Sequence, residues 1–196
     1  MRARFALAWT LVAALGAACA ESSADSVVER PSPRASADSI VAALSTHDMR
    51  RLSVFAHPTR GVRFSPYAYV DTTSDHVVAA GDVAGLWADA APVVWGAFDG
   101  TGDPIRLTYA DFHRKFVYDA DFLHAPSVAV DSQPIGRGNT TNNIVEVYPG
   151  ASIVEYHWPG RDPSLSGMDW RSLWIVLEPD GNRWRLVGVV HGAWTI

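Results

Sequence analysis

The first apolar stretch runs from Phe5 to Ala18, behind a short basic lead of Arg2 and Arg4, and stops at Cys19. It is too short to cross a bilayer as a stable helix, which takes about 20 residues, and it reads as an export signal over 1–18. From Ala20 to Ala37 apolar positions thin out and Ser, Ala, Glu and Pro dominate, the pattern of a flexible tether. Helical spacing then begins. Ile40, Val41 and Leu44 mark one face, with Ser36 or Asp38 as the candidate cap, and Leu52 and Phe55 mark a second. The spacing predicts a pair of short helices over 38–46 and 48–56, separated by Thr46-His47-Asp48 and ended by His57-Pro58.

Alternation takes over at Gly61–Ser65, a predicted strand. A helix is expected from Asp82, with Val83, Leu86 and Trp87 on one face. Val93–Phe98 and Ile105–Thr108 read as strands around the turn Asp99–Asp103. Thr108-Tyr109-Ala110-Asp111 has capping-box spacing ahead of a helix carrying Phe112, Phe116 and Val117. The last third is β. Asn143–Tyr148 and Ser152–Trp158 are expected to form a hairpin over Pro149-Gly150, and Ser172–Glu178 and Arg183–Trp194 a second over Pro179–Asn182. Leu173, Ile175 and Leu177 share a face. In the Arg183–Trp194 strand strict alternation would set Trp184, Leu186 and Val190 on one side and Val187, Val189 and His191 on the other. Apolar residues on both faces imply cover on both sides. Helices first and hairpins last make the class α+β, with N-terminal helices packed on an antiparallel sheet, as one domain over 38–196.

Cys19 is the only cysteine, so no intramolecular disulfide can form. Its position at the processing point leaves two routes. Leu15-Gly16-Ala17-Ala18-Cys19 resembles a lipobox, which would make 19–37 an acylated cysteine with its tether. Ala18-Cys19-Ala20 also satisfies ordinary signal peptidase, which would release a soluble protein. Loss of Arg2 and Arg4 takes 16 basic residues to 14 against 21 acids, a net charge of −7. An acidic chain argues against nucleic acid as a partner.

The order of elements resembles the nuclear-transport-factor-like or SnoaL-like cone on Ile40–His57, Asp82–Trp87 and Trp184–Trp194. That resemblance implies a curved sheet with a pocket under the helices, and a homodimer through the open sheet face. The strings Gly61-Val62-Arg63-Phe64-Ser65-Pro66-Tyr67, Lys115–Asp119, Gly167–Ser172 and His191–Ile196 are similar to an uncharacterised bacterial lipoprotein family, which implies a cell-envelope location and a membrane partner held through the lipid on Cys19.

Candidate chemistry is thin. None of the seven histidines falls in an HxH or HExxH pattern, so no metal site is implied. Gly136-Arg137-Gly138-Asn139 lacks the lysine and following helix of a phosphate loop, no serine sits in a nucleophile elbow, and no cofactor is implied. His157 and His191 lie on strands that could be neighbours and could meet His57 at a pocket mouth. Asp169-Trp170-Arg171 can recognise a ligand by ion pairing and stacking, or can rivet a loop, with Asp169 on backbone amides and Arg171 on a carboxylate. Arg63 beside Tyr67 suits an anionic ligand or an internal acid. Trp194 completes the candidate lining. Asp119 and Asp121 could act as an acid–base pair, hold calcium, or simply face solvent. Three functions stay open: a small-molecule-binding domain, a cone-type isomerase or cyclase using His157 or His191, and an envelope scaffold.

Overall fold

A computed structural model describes residues 30–195. The signal, Cys19 and the tether up to Glu29 lie outside the described residues. Helix α1 spans Pro33–Ser45 and starts earlier than the apolar spacing suggests. Ser32 is its cap, its hydroxyl accepting from Ala35 N at 3.1 Å, and Pro33 occupies the first turn, where its missing N–H removes no bond. Ser36 and Asp38 are therefore interior positions. Asp48 caps α2 (Met49–Phe55) by accepting from Arg51 N, as the Thr46-His47-Asp48 break implies. Thr108 caps α3 (Tyr109–Phe116), accepting from Asp111 N.

The main sheet has six strands: β1 (Val62–Ser65), β2 (Val77–Val78), β5 (Ser127–Val130), β6 (Ser152–Trp158), β7 (Arg171–Asp180) and β8 (Arg183–Ala193), in the order β2-β1-β8-β7-β6-β5. The strands β3 (Val93–Ala97) and β4 (Pro104–Leu107) form a separate ribbon. The sheet is curved and open. It is mixed, not antiparallel throughout: β1 runs parallel to β8, with Arg63 opposite Gly188 and Ser65 opposite Val190. Asp82 opens only a single 3-10 turn, Val83–Gly85.

The Asn143–Tyr148 strand is absent. In its place stands α4 (Ile144–Val147), because β5 and β7 already occupy both edges of β6. Ile144 and Tyr148 are buried while Val145 and Glu146 between them are exposed, a helical and not an alternating pattern. Asn143 locks the segment down, accepting from Val70 N at 2.7 Å and donating to Val70 O at 3.1 Å.

Both faces of the sheet are covered. Under α1, α2, α3 and the ribbon lies an aromatic core of Phe64, Trp95, Tyr109, Phe112 and Tyr156. Trp95 stacks on Phe112 with centroids 4.5 Å apart, and Phe64 stands edge-on to both. These rings fill the space in which the cone resemblance would place a pocket. Trp170, Trp174, Val176, Val187 and Val190 face the other way, against Ile144, Tyr148 and Val70. The β7–β8 hairpin forms as expected, but Val187 is an extra residue between the pairs Leu177–Leu186 and Val176–Gly188. This bulge inverts the alternation. Val190 joins Val187 on the far face, while Leu186 and Val189 share the helix face.

Candidate functional site

The Asp169-Trp170-Arg171 tripeptide enters β7, and the pleat divides it. Trp170 joins the far-face cluster, and Arg171 points to the helix side beside Trp158, its partner across β6. Arg171 Nε donates to Asp119 Oδ2 at 2.7 Å. The other carboxylate oxygen lies 3.1 Å from His191 Nε2, and His191 Nδ1 lies 3.2 Å from the Pro66 carbonyl. Two acceptors face the two ring nitrogens, so both bonds are made together when each nitrogen carries hydrogen. The parallel pairing of β1 with β8 is what brings Pro66 to this ring.

Asp119 is thus the hub. Its side chain is 18 % exposed and that of His191 4 %. Burial alone would raise the Asp119 carboxyl, but the bond from His191 and the charges of His191 and Arg171 outweigh it and hold it below the usual carboxylate range. The solvated-face reading of Asp119 and Asp121 therefore fits only Asp121, which is exposed and pairs with His124 at 2.7 Å.

Asp119 and Arg171 floor a rim cleft of about 540 Å³, walled by Asp121, His124, Trp158, Arg161 and Asp169. The Arg161 guanidinium lies 3.8 Å over the Trp158 ring, and Trp158 Nε1 donates to Asp121 O. Asp169 accepts from the backbone amides of Arg161 and Asp162 at 2.9 and 3.1 Å. The rivet anticipated for Asp169 and Arg171 is therefore present. Asp119, Asp121 and Asp169 each have at least one partner, while Asp169 Oδ1 is buried without one among the described residues. The Arg161 guanidinium and Arg171 Nη2 have no protein hydrogen-bond acceptor among the described residues. Such an arrangement can receive an anionic or acceptor-bearing group.

The remaining candidates lie elsewhere. His157 and His191 are on opposite faces, since His157 pairs with Ser172 while His191 pairs with Leu173. Ser172 Oγ donates to Glu155 Oε1 at 2.7 Å and accepts from His157 Nδ1 at 2.9 Å. Glu155 also accepts from Ile135 N and Gly136 N. A fully buried serine between histidine and acid is the wrong order for a nucleophile, so this network fastens a loop. His57 Nδ1 accepts from Arg60 N at 3.1 Å and closes the turn after α2. Its neighbour Leu186 is five strand residues, roughly 16 Å, from His191. Arg63 donates to the carbonyls of Asp75 and Thr72, neither a ligand nor a carboxylate. Tyr67 lines a separate cleft with Asp71, Asp75 and Asp99, and burial raises its hydroxyl. Trp194 is 42 % exposed.

The sequence reading passed over Arg161 and Trp158, and it gave Asp119 no link to Arg171 or His191. No local signal joins residues 52 and 72 positions apart. Among the described residues no group of three or more His, Cys, Asp or Glu stands together for a metal, and no helix is long and apolar enough to cross a membrane. Comparison with family models, curated proteins and solved structures returned no match.

Proposed function

We propose that the chain is an exported binding module of the bacterial cell envelope, anchored through lipid on Cys19, that takes an anionic small molecule in the rim cleft over Asp119, Arg161 and Arg171. The carrying observation is the combination of partnered carboxylates with free guanidinium edges in one cleft. The cone-like reading is supported by a helix pair and a third helix on one face of a curved sheet. The aromatic packing under the helices favours the rim over the interior as the binding site. A catalytic role has less support. His191 is buried with both ring nitrogens engaged, and Asp119 is held ionised by two partners, so neither is poised to take a proton from a bound molecule.

Native mass spectrometry of the full chain after exposure to a metabolite mixture tests the reading. A small acid retained by the wild type and lost in Arg171→Gln and Arg161→Gln is expected. Retention unchanged in both variants would place the ligand elsewhere, and an empty spectrum removes the binding role. Palmitate labelling that leaves Cys19 bare would remove the anchor.

A further inference from the structure

A second cleft, of about 310 Å³, opens on the far face of the sheet between Trp170 and the strap of residues 133–142. Gly136 and Gly138 let that strap lie directly on the indole. A Cβ at Gly136 would fall 2.6 Å from a Trp170 ring carbon, and one at Gly138 3.1 Å away. Trp170 is 7 % exposed, and its Nε1–H is buried without a partner among the described residues. Asn142 lines the same cleft, and its Nδ2 is likewise buried and unpartnered. Its amide orientation follows from the other end, where Oδ1 accepts from Ile144 N at 3.1 Å. Arg137 is the single charged residue in the lining; its Nε donates to Pro134 O and its terminal nitrogens are free among the described residues.

Two buried donors without acceptors in one small cleft are destabilising unless something accepts from them. The lining holds one arginine and no carboxylate; the Glu155 and Asp99 carboxylates bonded to its Gly136 and Thr140 are each already engaged by protein donors. We infer that it is a carboxylate-binding site: one ligand oxygen accepts from Trp170 Nε1 and Asn142 Nδ2, and the other faces Arg137. Its volume is at the lower end for ligand pockets and suits a small organic acid. The inference does not depend on the rim cleft, which opens on the opposite side of β7.

The test uses the full chain labelled with ¹⁵N at the tryptophan indoles, with the Trp170 signal assigned by its absence in Trp170→Phe. Acetate and benzoate are titrated, with benzyl alcohol as the uncharged match. A saturable shift of the Trp170 indole signal with a carboxylate, and none with the alcohol, is expected. Arg137→Gln and Asn142→Asp should each weaken binding by about tenfold or more, since each removes a donor and the second adds a repelling charge. Both leave Trp170 in place, and an otherwise unchanged spectrum reports an intact fold. Arg161→Gln should bind as the wild type does, which separates this site from the rim cleft. A Trp170 signal that answers neither carboxylate means that water alone satisfies the two donors, and overturns the assignment. So does equal affinity in Arg137→Gln, or an equal response to the alcohol.

Discussion

Two buried titratable groups oppose each other in acid, and removing one should expose the other. Asp75 is 7 % exposed and burial pushes its carboxyl from 3.8 up to about 6, against the opposing bond from Asp71 N and the nearby Arg63 charge. His113 is 1 % exposed among Trp87, Tyr109 and His47, and burial pushes its imidazole from 6.5 down to about 3. As pH falls from 7, native Asp75 takes a proton before the unfolded chain does, so the native state gains. Its contribution is full below 3.8 and is lost as pH rises through about 6. His113 works the other way. The unfolded imidazole takes a proton below 6.5 and the native one does not until about 3, so stability falls across that window. Between about pH 7 and pH 5 the Asp75 gain is about 1.3 kcal/mol and the His113 loss about 2 kcal/mol. In the wild type the Asp75 gain therefore offsets only part of the histidine loss. Asp75→Asn, which keeps shape and an acceptor but cannot titrate, should lose about 1.3 kcal/mol more than the wild type over that interval. His76 and His157, also pushed down by burial, act alike in both proteins and drop out of the difference. Urea unfolding followed by tryptophan fluorescence at the two pH values measures it. Equal losses in the two proteins would mean that Asp75 holds no proton in the native state near pH 5, and the reasoning fails.

Asp119→Ala should destabilise by about 3 kcal/mol, because it strands the buried His191 ring and Arg171 Nε without an acceptor; Asp119→Asn, keeping one acceptor, should lose less, and denaturant midpoints that do not order this way would deny Asp119 its hub role. Gly192→Ala sets a Cβ 2.3 Å from the buried Trp174 ring and should lower stability by about 3 kcal/mol, read as a drop in melting temperature. Ser32→Ala should cost about 1 kcal/mol through loss of the α1 cap, and deletion of residues 1–28 should leave that difference intact. A null result for Ser32→Ala would put the helix start further along the chain.

The parts of the architecture legible in the chain are those specified within a few residues. The caps Asp48 and Thr108, the turn at Pro179–Asn182 and the apolar pairs on both sides of β7 all arise from neighbours acting on one another. Where two local patterns fit the same letters, the chain was ambiguous. Ile144-Val145-Glu146-Val147-Tyr148 satisfies alternation and helical spacing alike, and only the occupied edges of β6 exclude the strand.

Local chemistry determined the α+β class, the two-sided burial of the C-terminal strands and the polar character of the Asp169–Arg171 segment. Tertiary structure decided which of those residues meet. Parallel docking of β1 carries Pro66 to His191, the extra Val187 reverses the pleat, and alternation parts Trp170 from Arg171 and His157 from His191. A one-residue shift flips a side chain to the opposite face, and that shift is set by contacts between segments remote in sequence.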